Sequence, residues 1–382
     1  MFRESILNGS PEQKEAAAQG LGEVIRVTSA EALKPSVVHI TGPLIRILGD
    51  RFVHSVKTAV LDTLAILLDK ASAMLKPFLP QLQTTFLKAL NDTNRLVRLK
   101  AGTALSHLVG IHTRPDPLFN ELHTGIKTAH DDLTVRDTYL QALRGCVANS
   151  GDKLSPPIRR GVTATLLTFL GTEEDSTRLA AAACLGCLVK WLPEEEAGPI
   201  VADLLGADDD GDWLHKHGRS TCLYTGLRES MGMLYGEEAG GRSGKVVKTV
   251  LSYMASDRDA VAANGVRCAS LIITACLVAG GPQMPADLLT AYTRSMNHTS
   301  SEVKEVVAVA SSVVARSRPD LLPADLLKAF VAMLVNGTRE KNPAVKSSSE
   351  IALVDLLKLR KGPAGQQKVL TMLEPGELRL LS

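Results

Sequence analysis

The sequence predicts an all-α chain, a right-handed α-solenoid of about nine helical hairpins, and three observations carry that expectation. The pair Val97-Arg98 stands near the start of a one-faced helical stretch, and the same mark recurs at Lys14, Lys57, Arg136, Arg178, Arg219, Lys304 and Lys346, with Ala262 in the weakest copy. The intervals run from 38 to 43 residues. Seven residues after the mark comes Leu21, Leu64, Leu105, Leu143, Leu185 or Leu353, with Gly226, Ala269 and Ser311 in the weaker copies. Apolar residues make up 45% of the chain and aromatic ones only 4%, which suits helices packed through Ala, Leu and Val better than sheets. A period near forty with helical patterning marks helix pairs that bury their apolar faces only against their neighbours.

Residues 2–8 read as the last turns of a helix. Ser10-Pro11 then supplies an N-cap and a proline at the first helical position for a helix through Val27. A first helix at 37–48 precedes a second at 51–69, and 77–90 pairs with 95–110 in the same way. In the latter, Asp92 is expected to cap a helix whose stripe is Val97, Ala101, Ala104, Leu105 and Leu108. Pro115 and Pro117, Pro156 and Pro157, Pro193, Pro282 and Pro285, and Pro319 and Pro323 open the later first helices, because proline is tolerated in a first turn and breaks a helix elsewhere. The exception is 207–245, an irregular repeat with an acidic loop (Asp208, Asp209, Asp210, Asp212) and a Gly-rich loop (Gly236, Gly240, Gly241, Gly244). A helix at 366–373 and a short apolar end at 378–381 close the chain. Solenoids normally finish in a polar capping repeat, and none is legible at either end, so 1–382 reads as one continuous array truncated at both ends.

Length supports the same organisation. A chain of 382 residues is too long for one ordinary core, whereas a solenoid's core grows by addition. With 43 basic and 41 acidic residues the net charge is +2, so no global field gathers nucleic acid or an anionic membrane, and any such contact must be local. The six cysteines fall mostly on expected helix stripes and form no disulfide framework, which fits a reducing compartment. The N-terminus lacks the build of a signal peptide, and the apolar runs at 179–189 and 271–279 are too short to span a bilayer, so a cytosolic protein without membrane contact is expected. Acceptor patterns at Asn8, Asn297 and Asn336 carry no weight outside the secretory route.

Motifs of catalysis are weak. Cys184 and Cys187 have the spacing of half a zinc site but no second pair, and core packing is the better reading. His215 and His217 lack a fixed third ligand, and the neighbouring acidic cluster lacks the spacing of a calcium loop. Gly240 to Lys245 superficially resembles a phosphate loop, but Val246 stands where a hydroxyl residue is needed and no strand precedes it. No enzyme, cofactor, metal or small-molecule ligand is therefore expected. Surface charge is more informative, since Arg46, Arg51, Lys88 and Arg95 lie at helix ends or off the stripes and could form a basic strip across adjacent repeats. The recurring basic mark is expected to be structural, pairing with turn carboxylates such as Asp92 or Asp131 and with the next repeat.

The turn-Asp and Val-Arg pattern resembles HEAT repeats. The stretches FRESILNG at 2–9, TSAEALKPSVVHITGPLIRILGD at 28–50 and the wording of 92–108 resemble the C-terminal region of the large HEAT-repeat translational activators of the general amino acid control pathway. That resemblance implies a non-enzymatic, cytoplasmic, ribosome-associated scaffold that activates the amino-acid-starvation kinase acting on initiation factor 2 alpha. It implies docking of the kinase's RWD domain on 1–170, with ribosomes reached through a longer parent protein. Arg46 and Arg51, supported by Lys88 and Arg95, are the residues expected to meet acidic groups of the RWD domain. The alternative is an importin-like or other HEAT assembly and transport scaffold, whose inner surface is usually acidic where this chain is balanced.

Overall fold

The computed structural model describes residues 2–49, 52–129, 132–206, 212–236, 239–278, 283–295, 297–317 and 324–359, and among them there are helices and turns but no strand. Arg51, Asp131, the acidic run 208–210, Pro282, Pro319, Pro323 and the expected closing segments at 366–373 and 378–381 lie outside the described residues. The chain forms two compact units, Met1–Leu192 and Pro193–Ser382.

The first unit opens with α1 (Phe2–Asn8), α2 (Pro11–Val27) and the one-turn α3 (Ala30–Leu33). Four hairpins follow: α4 (Val37–Gly49) with α5 (His54–Ala71), α6 (Leu79–Ala89) with α7 (Arg95–Leu108), α8 (Asp116–Thr128) with α9 (Leu133–Ser150), and α10 (Pro156–Thr168) with α11 (Asp175–Val189). The second helices pack on one another in chain order, α2 on α5, α5 on α7, α7 on α9 and α9 on α11. The start of α2 is a full capping box: Ser10 Oγ accepts the Gln13 N–H at 3.3 Å and the Gln13 side chain accepts the Ser10 N–H at 2.9 Å, with Pro11 behind them. At α7 the cap is Asn94 rather than the expected Asp92. The Asn94 side chain sits directly before the first helical residue and accepts the N–H groups of Leu96 and Val97, while Asp92 lies two residues too early and accepts the Asn94 N–H.

The second unit contains α12 (Glu194–Leu204), α13 (Trp213–Glu229), the short α14 (Met231–Leu234), α15 (Ser243–Met254) with α16 (Asp259–Leu277), α17 (Ala286–Ser295) with α18 (Ser301–Ser317), and α19 (Ala324–Thr338) with α20 (Pro343–Leu359). Here α13, α16, α18 and α20 pack in succession. Within the Gly-rich stretch, residues 239–242 form a turn that delivers the chain into α15. Gly240 and Gly241 hold φ of 56° and 79°, a left-handed conformation a side chain would strain, and Ser243 Oγ accepts the Gly236 N–H at 3.0 Å. By length and composition Asp259–Leu277 could cross a bilayer, which exceeds the sequence expectation. Most of α16 is buried, packed against α13, α15 and α18, so its apolar character serves the core.

The nine positions seven residues after the mark, from Leu21 to Leu353, are all buried, including Gly226, Ala269 and Ser311. The repeat period is therefore the period of the core. Cys184 and Cys187 lie inside α11 and are buried, as core packing requires, and burial pushes the thiols of Cys146 and Cys268 up.

Candidate functional site

The basic marks come first because they set what remains free on the surface. Lys14 Nζ donates to the carbonyls of Ile6 and Leu7 at 2.9 and 2.7 Å and stands 5.3 Å from the Phe52 ring in the next hairpin. Lys57 Nζ reaches the Asp92 carboxylate at 2.7 Å. Arg98, 4% exposed, donates to the Asp92 and Thr93 carbonyls at 3.0 and 3.3 Å and to Thr134 Oγ1 at 3.0 Å. Arg136 stacks over Phe169 at 5.5 Å, and Lys304 pairs with Glu340. Arg178 and Arg219 turn back to the carbonyls of their own hairpin's connection, Thr172 and Glu173 in one case and Asp203 and Gly206 in the other. In these seven copies the mark is thus a tether between a second helix and the turn at the base of the same or the following hairpin, whereas Lys346 is exposed and pairs with Glu350 of its own helix at 4.0 Å. Turn carbonyls and ring faces serve as partners alongside the expected carboxylates, because the first turn of each second helix faces peptide groups with no helical partner of their own.

Asp92 shows the electrostatics of such a tether. Burial works to raise its pKa, but the hydrogen bonds from Lys57 and the Asn94 N–H, with the charges of Lys57 and Arg98, outweigh burial and hold it below the usual carboxylate range. A carboxylate whose pKa is lower folded than unfolded contributes stability that is complete above the unfolded value, near 3.9, and is lost as pH falls through the folded value. Asp92→Asn is accordingly expected to cost about 1 kcal/mol at neutral pH. That cost should shrink toward zero in acid, read as urea midpoints of the two proteins converging below about pH 3.

In the first unit these marks are engaged internally, and other cations form the outer surface. Arg46 lies in the last turn of α4 and Lys88 in the last turn of α6, and α4 and α6 touch. Both side chains are exposed and make no ion pair or side-chain hydrogen bond among the described residues, and the same holds for Arg95 at the start of α7. Lys127, exposed in the last turn of α8, extends the row. Sequence reasoning missed it, although Arg46, Lys88 and Lys127 follow one another at about the repeat spacing. A cation in the last turn also offsets the negative end of the helix dipole, so each of the three has a structural use besides any contact. Beneath Lys127, His123 shares a 2.8 Å hydrogen bond with Thr165, and burial, with the Lys127 charge in support, lowers its pKa and keeps it neutral.

Nothing in the described residues gathers into reactive chemistry of the kinds weighed above. No three His, Cys, Asp or Glu side chains converge there. His217 is buried and stacked on Trp213, with ring centroids 6.3 Å apart.

Residues 116–382 match the family described as stalled ribosome sensor GCN1-like, HEAT repeats. The chain belongs to the GCN1-like HEAT-repeat family. The human stalled ribosome sensor GCN1 is 45% identical over the whole of this chain, which spans 14% of that protein's length. The Saccharomyces cerevisiae eIF-2-alpha kinase activator GCN1 is 38% identical over 56% of this chain and 8% of its own. The Arabidopsis thaliana protein ILITYHIA is 30% identical over 96% and 14%. Among solved structures, Kap121p superposes with a TM-score of 0.53 at 14% identity, covering 100% of this chain and 39% of its own, and so shares the α-solenoid fold.

Proposed function

We propose that this chain is the part of a GCN1-like protein that docks the RWD domain of the amino-acid-starvation kinase. Within the longer protein it serves, without catalysis of its own, to couple stalled or collided ribosomes in the cytosol to phosphorylation of initiation factor 2 alpha. The observation that carries this reading is identity along the full chain with a protein named for sensing stalled ribosomes, joined by similarity to one named for activating the eIF-2-alpha kinase. The docking surface is assigned to 1–170, where Arg46, Lys88 and Lys127 present a row of unengaged cations on consecutive first helices and Arg95 adds one at the neighbouring turn. Such a row suits an acidic face on a small domain, because complementary charge speeds encounter and fixes orientation. Arg51, between α4 and α5, belongs to the same proposal.

The test is a pull-down with this chain as bait, offering the isolated RWD domain in one arm and a basic import-signal peptide in the other. Retention of the RWD domain, weakened by added salt, is the expected result. Retention of the peptide alone would replace this reading with a transport one.

A further inference from the structure

In the second unit, residues of α12, α13 and α15 line a cavity of about 400 Å³. It exists because the facing surface of α12 is trimmed. Gly198, Val201, Ala202 and Leu205 recur at helical spacing, and two of the four have almost no side chain to fill the gap. Around that apolar floor stand five cations from separate parts of the sequence: Lys216 and Arg219 on α13, Arg242 at the turn into α15, and Lys245 and Lys248 on α15. Lys245 and Lys248 are exposed and have no ion-pair partner among the described residues. Arg242 pairs with Glu194, and Arg219 is held by the carbonyls of Asp203 and Gly206, which fixes its guanidinium at the wall. The Nε of Arg219 is buried without a hydrogen-bond acceptor.

Lys245 and Lys248 bring charge to this hollow that no ion pair among the described residues takes up, beside an Arg219 guanidinium that carbonyls hold, and like charges brought this close repel one another. Neither helix packing nor the hairpin tethers require Lys245 and Lys248 to face this space. We infer that the cavity binds a small, multiply phosphorylated anion. A volume of about 400 Å³ lies in the range of small-molecule sites and exceeds what one phosphate would occupy, while the density of cations calls for several phosphates close together. Single-stranded RNA is disfavoured, since the wall offers no exposed aromatic face for a base. Its one aromatic residue, Tyr253, is 4% exposed and gives its hydroxyl to the Leu204 carbonyl at 3.3 Å. The α15 N-terminus, which begins at Ser243 beside Arg242, adds the positive end of a helix dipole to the same wall. The inference is independent of RWD docking, which concerns the other unit.

The experiment titrates the full 382-residue chain by calorimetry with inorganic tripolyphosphate, a nucleoside triphosphate, the free nucleoside and a single-stranded RNA oligonucleotide. Saturable binding of tripolyphosphate at one site is expected, weakening with salt. It should fall by about tenfold or more in Lys245→Glu/Lys248→Glu and be unchanged in Lys328→Glu, an exposed control on α19. If the nucleoside triphosphate binds no better than tripolyphosphate, the phosphates alone are recognised; if it binds markedly better, the apolar floor holds the nucleoside and the source is a nucleotide. Failure of both polyphosphates to bind, binding undiminished in the Lys245→Glu/Lys248→Glu variant, or RNA binding that tripolyphosphate does not displace, would each overturn the inference. Circular dichroism of the variant distinguishes lost binding from lost folding, and Lys245→Gln/Lys248→Gln repeats the test without adding negative charge.

Discussion

Arg178→Ala is expected to destabilise the first unit by about 3 kcal/mol, the largest effect of any tether. Arg178 is fully buried, and its guanidinium donates to the Thr172 carbonyl at 2.6 Å and the Glu173 carbonyl at 3.2 Å while pairing with Asp175. Truncation removes a long packed side chain and leaves carbonyls of the α10–α11 connection facing the space it filled, and the two losses add. Arg178→Met restores volume and not the donors, so it should recover part of the loss; Arg178→Lys restores one donor with a point charge and should recover a different part. Asp175 contributes little, because its side chain is 73% exposed and the pair is screened on that side. The measurement is urea unfolding followed by tryptophan fluorescence. The chain has two tryptophans, Trp191 in the first unit and Trp213 in the second, so a Trp213→Phe background reports the first unit alone. A midpoint for Arg178→Ala within about 0.5 kcal/mol of the parent would show the arginine to be a solvated bystander.

Replacing Arg46, Lys88 and Lys127 together by Glu is expected to weaken RWD binding by about a hundredfold, chiefly through slower association and with the salt dependence much reduced. The three side chains are exposed and outside the internal ion pairs, so the fold survives. The reversal does place negative charge at three helix C-termini, at about 0.3–1 kcal/mol each. The matching Gln variant separates the effects, since it removes charge without opposing the dipoles and should still lose about tenfold in affinity. Surface plasmon resonance against the immobilised RWD domain gives the two rates. A folded triple-Glu protein that binds as the parent does would remove the row, with Arg51 and Arg95 left as its only remaining members.

The period and the core were legible because burial imposes them on the sequence. Residues such as Leu105, Leu143 and Leu185 recur where each second helix crosses its neighbours, and no local feature competes with that requirement. The partners of the basic marks were only half legible. Asp92 was visible as a carboxylate and does take Lys57, but it does not cap α7, and Arg98 instead uses backbone carbonyls and a threonine of the next hairpin. Composition does not reveal which peptide carbonyls lack a helical partner. The row through Arg46 and Lys88 was visible as charge at helix ends, yet Lys127, at the repeat spacing from Lys88, was missed because a cation in a helix's last turn has a structural use of its own and does not by itself mark a shared face. The cavity was not legible at all. Gly198 and Ala202 look like ordinary helix residues, and Lys216 and Lys245 come together only when α12, α13 and α15 fold around the same space.

The contacts from Lys14 to Phe52, Lys57 to Asp92 and Arg98 to Thr134 each bridge fewer than 40 residues, so no tether skips a hairpin. Under tension applied along the chain, hairpins wired in this way carry the load in series, and one can give way without breaking the tethers of hairpins that are not its neighbours. The first unit would then peel away in successive steps, each releasing about 40 residues, roughly 140 Å of extended polypeptide. A molecule wired in this way pays out length by the hairpin and can yield at one hairpin while distant ones hold.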